Sequence, residues 1–234
     1  MEGIPYLRVV LTALPLLAFI VNLSFGVFMF RRRKLLVNRL FALLMFSFCW
    51  WNIGEFALRL ANAKSQAILI MKMINIATPC IPSIALMFVM ALENQRPSRR
   101  QIAFMVLAPL IFIFMSLAGW LVSDVSLRFD VYMLPEMSFN LNNGYIYFTV
   151  YMFAFTSYVV YRLFLFYKKC ENEMVKKRIR YMIAGVFITS AITFITEFLV
   201  PLVLLKIGID LPSLGSFSTI FLTSLTYYSV RGRG

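Results

Sequence analysis

The chain has 234 residues, 61% of them hydrophobic and 14% charged, with a mean hydropathy of +0.82 and a formal net charge of +13. Soluble domains average roughly 45–50% apolar and about 25% charged residues, so an ordinary soluble domain is excluded. At ~20 residues per bilayer crossing the length accommodates about seven helices with short connections, which leaves no room for a sizeable extramembrane catalytic domain.

In chain order, the first apolar run covers 6–30, contains Pro15, and is followed at once by Arg31, Arg32, Arg33 and Lys34. The second covers 40–60 and carries Asn52, Glu55 and Arg59. The third, 67–92, holds Lys72, Asn75, Pro79 and Pro82, and the fourth, 102–122, holds Pro109. A 21-residue connection from Ser123 to Asn143 then carries Asp124, Arg128, Asp130 and Glu136 among apolar residues. It reads as a solvated loop, a short interfacial helix, or a lid over an outward-facing site, since long connections are often binding loops. The fifth run is 144–167, and the basic loop Lys168–Arg180 follows it. The sixth, 181–205, contains Glu197 and Pro201; the seventh, 214–230, is the shortest and the richest in Ser and Thr. Prolines inside such runs are tolerated as kinks where neighbours re-satisfy the freed carbonyls. No internal repeat interrupts the series, so residues 1–234 read as one all-α integral membrane domain, a seven-helix transmembrane bundle.

The Lys/Arg asymmetry of short loops sets orientation. With the N-terminus outside, the inner segments hold Arg31, Arg32, Arg33, Lys34, Arg39, Arg96, Arg99, Arg100, Lys168, Lys169, Lys176, Lys177, Arg178, Arg180, Arg231 and Arg233. The outer ones hold only Arg8, Lys64, Arg128 and Lys206. Sixteen against four predicts N-out and C-in, in the cell membrane. Trp120, Tyr145 and Tyr147 then fall at the outer interface, and Tyr227 and Tyr228 at the inner one, as aromatic anchors do.

Ionisable residues within spans count as functional candidates, because charge in hydrocarbon is costly. Glu55 and Arg59 are four apart in the favourable order for a same-face pair. Lys72 and Glu197 fall at the same depth in antiparallel or neighbouring runs, with Asn52 and Asn75 beside or just below them. These six residues form either an ion-pair network stapling helices or a polar ligand pocket reached from outside. Arg162 and Glu93, near inner ends, read as snorkelling side chains. The inner surface offers Lys176, Lys177, Arg178, Tyr227, Tyr228 and Arg231 as a candidate contact for a cytoplasmic partner.

Enzyme and cofactor chemistry finds no residues to carry it. There is no histidine, which removes the commonest metal ligand and general base. Cys49, Cys80 and Cys170 suggest no disulfide framework. No metal-ligand spacing, P-loop or G-x-S-x-G elbow occurs, and the last run lacks the lysine that a retinal protein needs. The basic blocks are short runs between apolar stretches, with no groove for nucleic acid. No cofactor, no metal and no catalytic residue is expected.

Four stretches resemble a known family. They are RRRKLLVNRLFALLMFSFCWWNIGEFAL, with Asn38, Phe41, Trp50, Trp51 and Glu55; PSIALMFVMALENQ from Pro82; FLVPLVLLKIGIDLPSLGSFSTIF, with Pro201, Gly208, Asp210, Pro212 and Gly215; and LTYYSVRGRG. Together they resemble the N-terminal seven-helix sensor region of membrane histidine kinases, over nearly the whole chain. That resemblance implies a sensory module that detects an external or membrane-borne ligand and passes the signal to a cytoplasmic output domain or signalling protein. Members of that family continue into a coiled-coil linker and a phosphorylatable histidine; with neither here, the chain is expected to be a sensor portion or a free-standing module. The partners implied are the bilayer, that output protein, and a second copy of the chain in a homodimer. The rival readings are a small transporter or carrier, whose broken helices the prolines would fit, and a structural or assembly subunit of a membrane complex.

Overall fold

A computed structural model of the chain describes residues 5–32, 34–128, 131–133, 144–200 and 212–230. Its elements are α1 (Pro5–Arg31), α2 (Leu36–Leu60), α3 (Lys64–Ala77), α4 (Cys80–Leu92), α5 (Arg99–Leu117), β1 (Ser126–Arg128), β2 (Val131–Met133), α6 (Gly144–Lys169), α7 (Glu173–Thr193) and α8 (Gly215–Val230). Among the described residues, six helices are long and apolar enough to cross a membrane, α3 and α4 counting together as one interrupted crossing. α8 has 16 residues, short of a full crossing within the described part. Arg231 and the segment 201–211, with Pro201, Gly208 and Asp210, lie outside the described residues.

α2 is the central helix. It packs against α1, α3, α4 and α8, and 56% of its most apolar stretch is buried; the α3–α4 crossing beside it reaches 67%, against 28% for α1, α6 and α7 and 22% for α5. The outer helices instead present Leu, Phe and Val to the surroundings, as lipid-facing helices must. Phe41, Met45 and Leu58 are almost fully enclosed on α2. Pro15 and Pro109 sit inside continuous helices, whereas Pro79 coincides with the break between α3 and α4.

Helix ends follow the chemistry of their residues. Ser98 and Gln101 form a reciprocal capping box at the start of α5, and Asn172 accepts from the Met174 and Val175 amides at the start of α7, each satisfying donors that the first turn leaves open. α5 ends in a Schellman motif: Gly119 has φ +81°, and Trp120 N–H donates to Met115 O at 2.9 Å. Asn94, at φ 56°, ends α4 in the same way.

Two expectations need correction. The connection after α5 was expected as a loop or an interfacial helix; its described part instead contains an antiparallel pair, β1 on β2, with Leu127 opposite Tyr132. The strands are separated by two residues, the spacing of a tight hairpin, and carry residues such as Val131 and Tyr132 that favour extended backbone. Arg162 and Glu93, expected to snorkel separately, are bonded to each other. α6 and α4 bring them to one level, and Arg162 also donates to Gln95 Oε1 at 2.6 Å. Once paired, neither needs to reach for water.

Candidate functional site

The site begins with α2. Its periodicity puts Asn52, Glu55 and Arg59 on the buried side, with Glu55 6% and Arg59 2% exposed. Arg59 Nη2 lies 3.6 Å from Glu55 Oε2, and the same nitrogen donates to Ser213 O at 2.7 Å. The expected Glu55–Arg59 pair is therefore present and is tied to the segment that leads into α8.

Glu197 comes from a different irregularity. After Thr193 the helix of α7 continues as a π-helical turn, Phe194–Leu199; such turns recur at functional sites. Here adjacent residues both turn to the start of α8. Glu197 Oε1 accepts from Ser213 Oγ and from the Gly215 amide at 3.0 Å. Thr196 Oγ1 accepts from the Leu214 amide at 3.3 Å. A carboxylate at the first turn of a helix satisfies open donors and opposes the positive end of the helix dipole. Glu197 thus caps α8 from a neighbouring helix, and Tyr145 of α6 donates to its backbone carbonyl at 2.9 Å.

Between these groups lies a cavity. Its walls come from Trp51 and Glu55 of α2, Met71, Ile74 and Asn75 of α3, Thr78 at the break before α4, Tyr145, Phe148 and Met152 of α6, and Thr193, Glu197 and Phe198 of α7 and its π turn. The volume open to the centres of water molecules is about 50 Å³. Both helix irregularities, at Thr78–Pro79 and at Phe194–Leu199, border it. Asn75 is 6% exposed and lines the cavity, and its amide has no hydrogen-bond partner among the described residues.

The six expected residues divide in four ways. Glu55, Asn75 and Glu197 face the cavity. Arg59 stands behind Glu55. Asn52 points away, its Nδ2 3.4 Å from Thr219 Oγ1. Lys72 is not brought to Glu197. Its ammonium is turned to the end of α5, 3.5 Å from the position a Cβ on Gly119 would take, and it has no carboxylate partner among the described residues.

Sequence reasoning missed a polar seam along α8. Ser216, Thr219, Thr223 and Thr226 recur at helical spacing and are all buried. Asn22 of α1, fully enclosed, donates to Thr219 Oγ1 at 2.8 Å and accepts from Thr223 Oγ1. On the α7 side Thr189 Oγ1 donates to Ser218 O at 2.8 Å. Near the basic end Ser229 Oγ donates to Arg178 O at 2.8 Å. The spacing of those hydroxyls was the available signal. Tyr145, expected as an interfacial anchor, is 4% exposed because its hydroxyl is used at Glu197.

Of the expected partner surface, Lys177 is exposed and Lys176 pairs with Glu173 at 2.8 Å. Arg178 gives its carbonyl to α8. Tyr227 turns inward onto Phe25 of α1, with ring centroids 4.4 Å apart. Tyr228 is exposed and meets Tyr181 edge-on.

Apolar helices in this number, two of the crossings irregular beside a largely apolar cavity that holds two carboxylates, define a multi-pass helical membrane protein. The chain belongs to the family described as the N-terminal 7TM region of histidine kinase, whose model matches residues 14–231. By membership it is a membrane sensory module, the sensor region of such kinases and not their catalytic domain. No curated protein matches the chain.

Proposed function

We propose that the cavity is the ligand site of this sensory module and that α8 carries its state to the cytoplasmic side. The observation that supports this most strongly is the position of Glu197: one carboxylate both lines the cavity and holds the first turn of α8. A ligand that engages Glu197 at Oε1 competes with that cap, and one that draws the carboxylate further into the cavity reorients it. Either action gives it different affinities for two packings of α8, which is what a signal requires. α8 then runs, with α7 alongside, toward the basic end.

The bundle is oriented N-out and C-in, with α8 as the seventh crossing, as the sixteen-to-four distribution of basic residues supports. The cavity then opens toward the outer half of the bilayer, and Lys176, Lys177, Arg178, Tyr228 and Arg231 face a cytoplasmic output domain or partner.

The test needs no knowledge of the ligand. In a fusion to a histidine-kinase output, Glu197→Gln keeps the side-chain shape but removes the charge from the α8 cap. Basal autophosphorylation should change by about fivefold or more, the lower range of allosteric coupling, with normal membrane insertion. Unchanged output in a correctly inserted variant would count against the reading. A carrier is the second reading, because interrupted helices beside an internal site are also a transporter feature; flux of cavity ligands into proteoliposomes would favour it.

A further inference from the structure

We propose that the cavity takes a small primary ammonium cation carried on a short apolar body. This rests on the reading of the cavity as a ligand site and adds the chemical class of the ligand.

The first observation is charge. Arg59 pairs with Glu55, whereas the carboxylate of Glu197 is met among the described residues by uncharged donors, Ser213 Oγ, the Gly215 amide and Thr196 Oγ1, all at Oε1. The wall of the cavity therefore carries one negative charge with no basic partner among the described residues. The second observation is independent of the carboxylates. Asn75 is 6% exposed, faces the cavity, and has an amide with no partner among the described residues. An amide placed so, on the cavity wall, is open to a ligand that bonds it.

Three acceptors are thus available around one space: the two carboxylates and the Asn75 amide oxygen. A primary ammonium presents three donors and no acceptor, which matches them; a carboxylate or phosphate would meet like charge. The third observation is the remaining wall, which includes Trp51, Tyr145, Phe148 and Phe198; aromatic side chains attract a cation and pack against an alkyl body. The volume of about 50 Å³ suits an ammonium with a few carbons.

The experiment uses the full chain in lipid nanodiscs and reads saturable thermal stabilisation together with the change in Trp fluorescence. The probes are n-butylammonium, tetramethylammonium, n-butanol and butyrate. Butylammonium should bind saturably. Tetramethylammonium, a cation without N–H donors, should bind at least about tenfold more weakly, and butanol and butyrate should give no saturable signal. Glu197→Gln and Asn75→Leu should each weaken butylammonium by about tenfold or more; the second variant touches no partner and keeps the test open should the first unfold. Equal binding of butanol or tetramethylammonium, full binding by both variants, or no saturable binding of butylammonium would overturn the ammonium assignment. Should output still respond to Glu197→Gln in the kinase fusion while butylammonium does not bind, the sensory reading stands and only the ligand class fails.

Discussion

Arg59 and Glu55 show why a charged pair survives in an apolar bundle. Each is nearly enclosed, and Arg59 bonds a backbone carbonyl as well as the carboxylate. In water-soluble proteins, removing one partner of a buried pair costs roughly 3–5 kcal/mol, because the other charge is left uncompensated. Arg59→Gln and Glu55→Gln should therefore each lower the unfolding midpoint in detergent sharply, and the double variant should cost less than the two singles summed. Thermal unfolding of the three variants measures that coupling. Thr219 makes a milder case. Its hydroxyl accepts from both Asn22 and Asn52, so Thr219→Val leaves two buried amides short of an acceptor and should cost about 1–3 kcal/mol. Outside the spans, Lys64 bonds Asp124 at 2.7 Å and holds its carboxyl below the usual carboxylate range. A lowered folded-state value means that this tie is fully present above the ordinary carboxylate range and is lost as pH falls through the lowered one. Titration of the Asp124 carboxyl by NMR should show the low value, and Lys64→Met should return it to the ordinary range.

At the scale of the element, α8 and the irregular turn of α7 decide how the site works. α7 and α8 pack closely at Gly185, where an added Cβ would lie 3.2 Å from Leu222 Cα and 3.3 Å from Leu225 Cβ. Gly185→Ala must push the helices apart by a few tenths of an ångström, at about 1–3 kcal/mol for overpacking. It should also loosen the hydroxyl contacts between Thr189 and Ser218, visible as faster amide exchange in α8. The crossings α1, α2, α3 with α4, α5, α6 and α7 were legible in the sequence because each contains an apolar stretch of crossing length; most of their ends agree with the structure within about five residues, whereas α7 starts eight residues before the apolar run. The interruption at Thr78–Pro79 had its proline as a signal. The π-helical turn had none, since nothing in FITEFL distinguishes it from α-helix. α8 was legible as a helix but not as a central one. Its hydroxyls lowered its apparent hydrophobicity, yet in a membrane bundle they face other helices, where Asn22 bonds those of Thr219 and Thr223 and the Thr189 carbonyl accepts from that of Ser218. Glu55–Arg59 was readable from spacing alone. Shared depth did not say which of the six candidates would meet, because depth fixes height along the bundle normal and leaves the facing direction open; Lys72 and Glu197 share a depth and face different neighbours.

For the molecule as a whole, a row of buried polar groups follows α8: Asn22 and Asn52 meet Thr219, Asn22 also meets Thr223, and Ser229 meets Arg178 at the basic end. It gives α8 two sets of partners, on α1–α2 and on α7, and hydrogen bonds of this kind exchange more discretely than apolar packing. Charge reversal at Lys176, Lys177 and Arg178 should uncouple a cytoplasmic partner, read as loss of co-purification, while the spans still insert; retained co-purification of every partner would argue against that surface. The central claim is that the charge at Glu197 sets the position of α8. Its most direct test is the distance between spin labels at Ser224 on α8 and Tyr161 on α6, measured by pulsed electron resonance in nanodiscs for the wild type and for Glu197→Gln. The account predicts two resolved distance populations whose ratio shifts by about fivefold or more in the variant. Superimposable distributions in a correctly folded variant would contradict it.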